Sequence, residues 1–105
     1  MEELLQMLEE MGLPFAYHHF AEGESPEPPF ICYLLPGSNN FSADGKVYCK
    51  INEVHIELYT DWKDLAVEQD VEAVLDEHGV FYNKSEVWIE SEKLYEVLYM
   101  FEWEV

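Results

Sequence analysis

The run Leu94–Glu104 (LYEVLYMFEWE) constrains this chain more than any other segment. Its period is two: Tyr95, Val97, Tyr99, Phe101 and Trp103 fall on one side, and Leu94, Leu98 and Met100 share the other with Glu96, Glu102 and Glu104. Alternation of this kind belongs to a β-strand, whose successive side chains point to opposite faces. Five large residues on one face are more than a short helix covers, and the other face is also partly apolar. The strand therefore belongs to a sheet with core on one side and a helix or a neighbouring subunit partly covering the other. Residues 46–60 (KVYCKINEVHIELYT) carry a second such pattern. Val47, Cys49 and Ile51 share one parity, and Val54, Ile56 and Leu58 the opposite one. That phase change predicts a β-bulge or bend near Asn52.

The remaining segments fill in around these strands. Residues 2–12 read as a short helix with Leu4, Leu5, Leu8 and Met11 at helical spacing, stopped by Gly12 and Pro14. Residues 15–20 (FAYHHF) read as a strand and 21–29 as a Pro-rich loop. The apolar stretch 30–35 (FICYLL) reads as a strand inside the sheet. Residues 36–45 read as a long turn segment. Residues 64–78 read as a second helix with Val67, Val71, Val74 and Leu75 as its apolar stripe and Gly79 beyond its end. Residues 85–90 form a strand before the closing one. The expected fold is a single α+β domain over residues 1–105. Its mostly antiparallel sheet has five to six strands packed with two helices, in the order α-β-β-β(β)-α-β-β.

Charge decides which functions are excluded. Twenty-three acids face five lysines, there is no arginine, and the formal net charge is −18. Without the guanidinium fork and with so negative a surface, direct binding of nucleic acid or of an anionic membrane is not expected. The acidic, amphipathic N-terminal segment does not read as a signal peptide, and no apolar run reaches transmembrane length. A cytosolic setting is the expectation, with Cys32 and Cys49 as reduced, buried thiols that pack as small apolar residues.

Candidate chemistry is sparse. His18 and His19 are adjacent, so on a strand they point to opposite faces and do not chelate one ion. Glu53, His55 and Glu57 share a face and suit surface or subunit-interface pairing. No nucleophile motif or phosphate loop is present. The expectation is a non-enzyme without metal or cofactor, which works by binding other proteins. Asp64, Glu68, Glu72 and Asp76 form an i,i+4 stripe. It reads as a solvated helix face, as the wall of a DNA-repelling passage, or as a mimic of the phosphate backbone. Trp62, just before that helix, is a candidate interface anchor or a staple onto the sheet.

The order of elements resembles the small tail-completion proteins of siphophages and Gram-positive prophages, also called tail terminator or head-to-tail joining proteins. The resemblance is carried by PPFICYLLP, the polar tip GSNNFSADGK, VHIELYTDWKD, the amphipathic helix after it, a Trp-bearing strand and the closing LYEVLYMFEWEV. It spans about residues 2–105 as a pattern rather than a diagnostic motif. It implies a ring, often hexameric, at the head-proximal end of the tail tube. Self-association, tail-tube protein and head-connector protein are the implied partners. The implied location is the bacterial host cytoplasm during assembly and then the virion tail. It also implies an interface at the hairpin near Asn39, Asn40, Phe41 and Asp44. Tyr99 and Trp103 are added from the aromatic strand. The alternative is an acidic DNA-mimic inhibitor that binds a basic nucleic-acid-binding protein.

Overall fold

In the computed structural model, which describes residues 1–104 and all their side chains except those of Phe41, Ala43, Val47, Tyr48 and Cys49, the alternating run forms the strand β7 (Leu94–Glu104). It lies inside the sheet, paired antiparallel with β5 (Ile51–Thr60) on one side and β6 (Asn83–Ile89) on the other. Beyond β5 come β2 (Phe30–Ser38), antiparallel to it, and the edge strand β1 (Phe15–Tyr17). The sheet order is β1-β2-β5-β7-β6. Two helices, α1 (Glu2–Glu10) and α2 (Leu65–Glu77), complete an α+β fold.

The sheet is mixed rather than wholly antiparallel, because β1 runs parallel to β2. A parallel neighbour needs a crossover of about a dozen residues. The Pro-rich segment 18–29 supplies it, so β1 stops at Tyr17 instead of continuing to residue 20. His18 adopts a left-handed backbone (φ 67°). Its ring meets that of His19 with the two Nδ1 atoms 2.7 Å apart, which corrects the expectation that the pair point apart. Among the described residues, no third metal-ligating side chain joins them.

The stretch 36–45 is also more regular than its composition suggests. β2 continues through Pro36 and Gly37 to Ser38, with an irregular register between Leu34 and Gly37. Then β3 (Phe41–Ala43) and β4 (Lys46–Cys49) form a hairpin that is a sheet of its own. Asp44 (φ 54°) and Gly45 (φ 75°) make its tip. Positive φ at both central residues is the type I′ geometry that matches strand twist, and Asp-Gly is a favoured pair for it. The bulge or bend expected near Asn52 is corrected: β5 pairs with β7 in unbroken register from Ile51 to Thr60, and the strand is interrupted instead at Lys50, between β4 and β5.

The core lies between the helices and one face of the sheet. Ile31, Val54, Ile56, Leu58, Val97 and Tyr99 face Leu4, Met7, Leu8, Met11, Val71 and Leu75 in one cluster. The α1 stripe is Leu4, Met7, Leu8 and Met11; Leu5 stays 37% exposed. α2 opens on Asp64, whose carboxylate accepts from Val67 N at 3.2 Å. It closes with bonds from Val80 N to Leu75 O (3.0 Å) and from Gly79 N to Asp76 O (3.0 Å). That pairing is a Schellman motif, which needs the positive φ of Gly79.

His78 ties the helices together. Its ring nitrogens lie 3.1 Å from Glu3 Oε2 and 3.1 Å from Glu10 Oε1. Hydrogen bonds donated to the Glu3 carboxylate, and then to that of Glu10, raise its pKa above the ordinary 6.5. A raised histidine contributes stability that is complete below the unfolded value and lost as pH rises through the folded one. Thermal melts should therefore show a stability decline starting near pH 6.5, and His78→Asn should flatten it. An unchanged slope would remove His78 from this role.

Candidate functional site

The acidic stripe of α2 is present in the backbone but is not a free line of charge. Glu68 is only 2% exposed. Its oxygens bind Lys63 (2.6 Å) and Lys84 (2.7 Å). Glu72 takes Lys84 at 2.7 Å and the Tyr99 hydroxyl, which donates at 2.8 Å. Asp64 is the helix cap, which leaves Asp76 as the stripe's remaining member. Burial pushes Glu68 and Glu72 up, but the lysines, with Tyr99 at Glu72, outweigh it and hold both below the ordinary carboxylate range. The expectation of a solvated face is corrected: a helix stripe read from spacing alone does not show which lysines of the loop and the edge strand reach under it. Tyr99 is corrected likewise. It is fully buried, and its aromatic face belongs to the core rather than to an interface. Burial and then Glu72 drive its pKa well above the ordinary tyrosine value.

The other predicted interface residues divide by location. Asn39 and Asn40 root the hairpin. Asn39 Nδ2 donates to Glu102 Oε1 (3.2 Å), and Asn40 Oδ1 accepts from Ile51 N (3.0 Å). Asp44 sits exposed at the tip. The side chain of Phe41 lies outside the described residues, as does that of Cys49; Cys32 is buried and free. Trp62 is 62% exposed. Trp103 is half-buried and edge-on to Phe101. Sequence reasoning missed Phe81, which is 87% exposed and borders a cleft of about 430 Å³ with Trp103 and Met100. The one signal for it was an aromatic residue placed just after a helix-ending glycine.

The sheet face away from the helices is the least expected feature. Strand register sets its rows: Phe30–Tyr59–Glu96–Val87, then Cys32–Glu57–Leu98–Ser85, then Leu34–His55–Met100–Asn83. No helix covers these rows, yet seven of their twelve residues are apolar or aromatic. An antiparallel sheet normally presents polar residues on a solvated face. At the centre, the Tyr59 hydroxyl donates to Glu57 (3.2 Å). Burial first, and then neighbouring Glu96, raise the Glu57 pKa. Burial and the same two carboxylates push the Cys32 thiol up to about 11. His55 Nε2 lies 2.9 Å from Glu53 Oε1, so the Glu53–His55–Glu57 face resolves into one hydrogen-bonded pair and one tyrosine-bound carboxylate.

A glutamate with a raised folded pKa costs stability that appears as pH rises through that pKa. Glu57→Gln is therefore expected to raise the urea midpoint at pH 7 and leave it unchanged at pH 4. A lower midpoint at pH 7 would show that the carboxylate is compensated.

Fold and site together define a class: a two-layer α+β sandwich with one sheet face filled by helices, the other without a helix over it, and a rooted hairpin set apart from both. No protein-family model matches the chain, and no curated protein matches it. Among the described residues, no helix is long and apolar enough to cross a membrane.

Proposed function

We propose that the chain is a non-catalytic structural protein of a phage, acting in tail completion or head-to-tail joining as one subunit of an oligomeric ring. The supporting observation is the hairpin β3–β4. It forms a separate sheet from the five-stranded one and is fastened at its root by Asn39 and Asn40. A hairpin set apart from the main sheet but held at its root suits contact with another chain. The molecule is correspondingly long, 49 × 29 × 23 Å. In this reading the hairpin reaches a neighbouring subunit, and the ring meets tail-tube protein on one side and head-connector protein on the other. Assembly takes place in the host cytoplasm and ends in the virion tail.

The DNA-mimic alternative drew its line of charge from the α2 stripe. With Glu68 and Glu72 bound to lysines, that line is broken, so the ring reading is preferred.

Light scattering on the purified chain, alone and with tail-tube or connector protein, tests the proposal. The expected result is a ring mass in at least one mixture, reduced when residues 41–48 are replaced by a short Gly-Ser turn. A chain that stays monomeric and binds neither protein would refute it.

A further inference from the structure

At one end of the uncovered sheet face lies a cleft of about 450 Å³. Its floor is Phe30, Cys32 and Tyr59; His18, His19 and Phe20 stand on one side, and Ile89, Glu92 and Leu94 on the other. The aromatics are ordered by one another. Phe30 stacks on Tyr59 with centroids 5.2 Å apart, and Phe20 meets Phe30 edge-on at 5.5 Å. Glu57 and Glu96 adjoin this floor, since Glu57 pairs with Cys32 and Glu96 with Tyr59 in the strand register.

Among the described residues, no lysine pairs with Glu57 or Glu96; the Tyr59 hydroxyl and His55 are the groups of the chain that favour the charged form of Glu57. Lys63 and Lys84 are bound beneath α2. Lys93, in the turn between β6 and β7, is held by Glu90. Lys46 and Lys50 lie at the hairpin, and the cleft is at the far end of β5 from it. Two half-buried carboxylates beside aromatic rings, neither paired with a lysine, favour an incoming cation through both charge and ring quadrupole. The apolar rows beyond them add contact area that water covers poorly.

We propose that this face docks a partner protein through a strand or loop whose arginine or lysine enters the cleft toward Glu57 and Glu96 while neighbouring aliphatic side chains cover Leu98 and Met100. A second copy of this chain fits less well, because at a net charge of −18 it would bring its own carboxylates against these.

The test uses the intact chain and a blocked five-residue peptide alternating valine and arginine, followed by amide chemical shifts. Saturable shifts are expected at Cys32, Glu57, Tyr59, Glu96 and Leu94. Glu57→Gln and Glu96→Gln should each weaken binding about tenfold, the size of a lost charge-assisted hydrogen bond. A glycine–arginine peptide should bind more weakly, and a valine–glutamate peptide should cause no shifts. Shifts spread evenly over the acids of α1 and the turns would overturn the proposal in favour of unspecific charge attraction. Concentration-dependent broadening of the same face without peptide would overturn it in favour of a second copy. An absence of saturable shifts would also overturn it.

Discussion

Replacing Lys84 with methionine should destabilise the fold by about 2–4 kcal/mol, somewhat below the roughly 3–5 kcal/mol for breaking a fully buried ion pair from one side, because Lys84 is itself over a third exposed. Methionine keeps most of the stem over Tyr99 but removes the ammonium, which lies 5.8 Å from the ring centroid. Glu68 would keep only Lys63, and Glu72 only the Tyr99 hydroxyl. The reciprocal change should differ. With Glu68→Met, Lys63 and Lys84 can turn outward, since both are already over a third exposed. That variant should cost under about 1 kcal/mol, as when apolar residues replace buried charges. The pH dependence carries the same signature. Glu68 and Glu72 have depressed folded pKa values, so their stabilisation is full above the ordinary carboxylate value of 4.5 and is lost as pH falls through the folded one. Urea titrations from pH 7 to 3 should show a steeper acid loss in the parent than in Lys84→Met. Equal midpoints for the two proteins at pH 7 would show that Lys84 does not hold these carboxylates.

This network marks the boundary of what the sequence made legible. The closing strand, the two helices and the helix-side core followed from period-two and period-3.6 patterns, which are local. The parallel placement of β1 did not, because a Pro-rich segment reads alike as a loose loop or as a crossover. The hairpin was hidden because Gly, Asn, Ser and Asp signal a turn without indicating the short strands beside it. At the candidate site the limit was partnership. Glu68 looked like any solvated helix acid because its lysines come from the loop before α2 and from β6. Tyr99 shared the parity of Trp103, but parity does not say which face the helices cover. The uncovered face was visible only as surplus apolar residues on the closing strand, and the position of Glu57 beside Cys32 and near Glu96 depends on register across three strands.

The two faces of the sheet can be separated with one truncation on each. Leu58, on β5, is fully buried against the helix layer. Leu58→Ala should cost about 2–5 kcal/mol through lost transfer energy and the cavity left behind. For a domain of this size about 3 kcal/mol lowers the melting temperature by roughly 12–24 °C. Leu98, on β7, pairs in register with Glu57 on the uncovered face and is half-buried. Leu98→Ala should cost only about 1 kcal/mol, close to the area term alone, because water already reaches the side chain and no closed cavity forms. Its larger effect belongs to docking: binding of the valine–arginine peptide should weaken while the melt barely moves. The measurement is a pair of melts at two protein concentrations. If Leu98→Ala proved as costly as Leu58→Ala, and more so at higher concentration, the face would be covered by another copy in solution. A difference that holds at both concentrations means that helix packing sets the stability of the sheet, leaving its other side free for a partner.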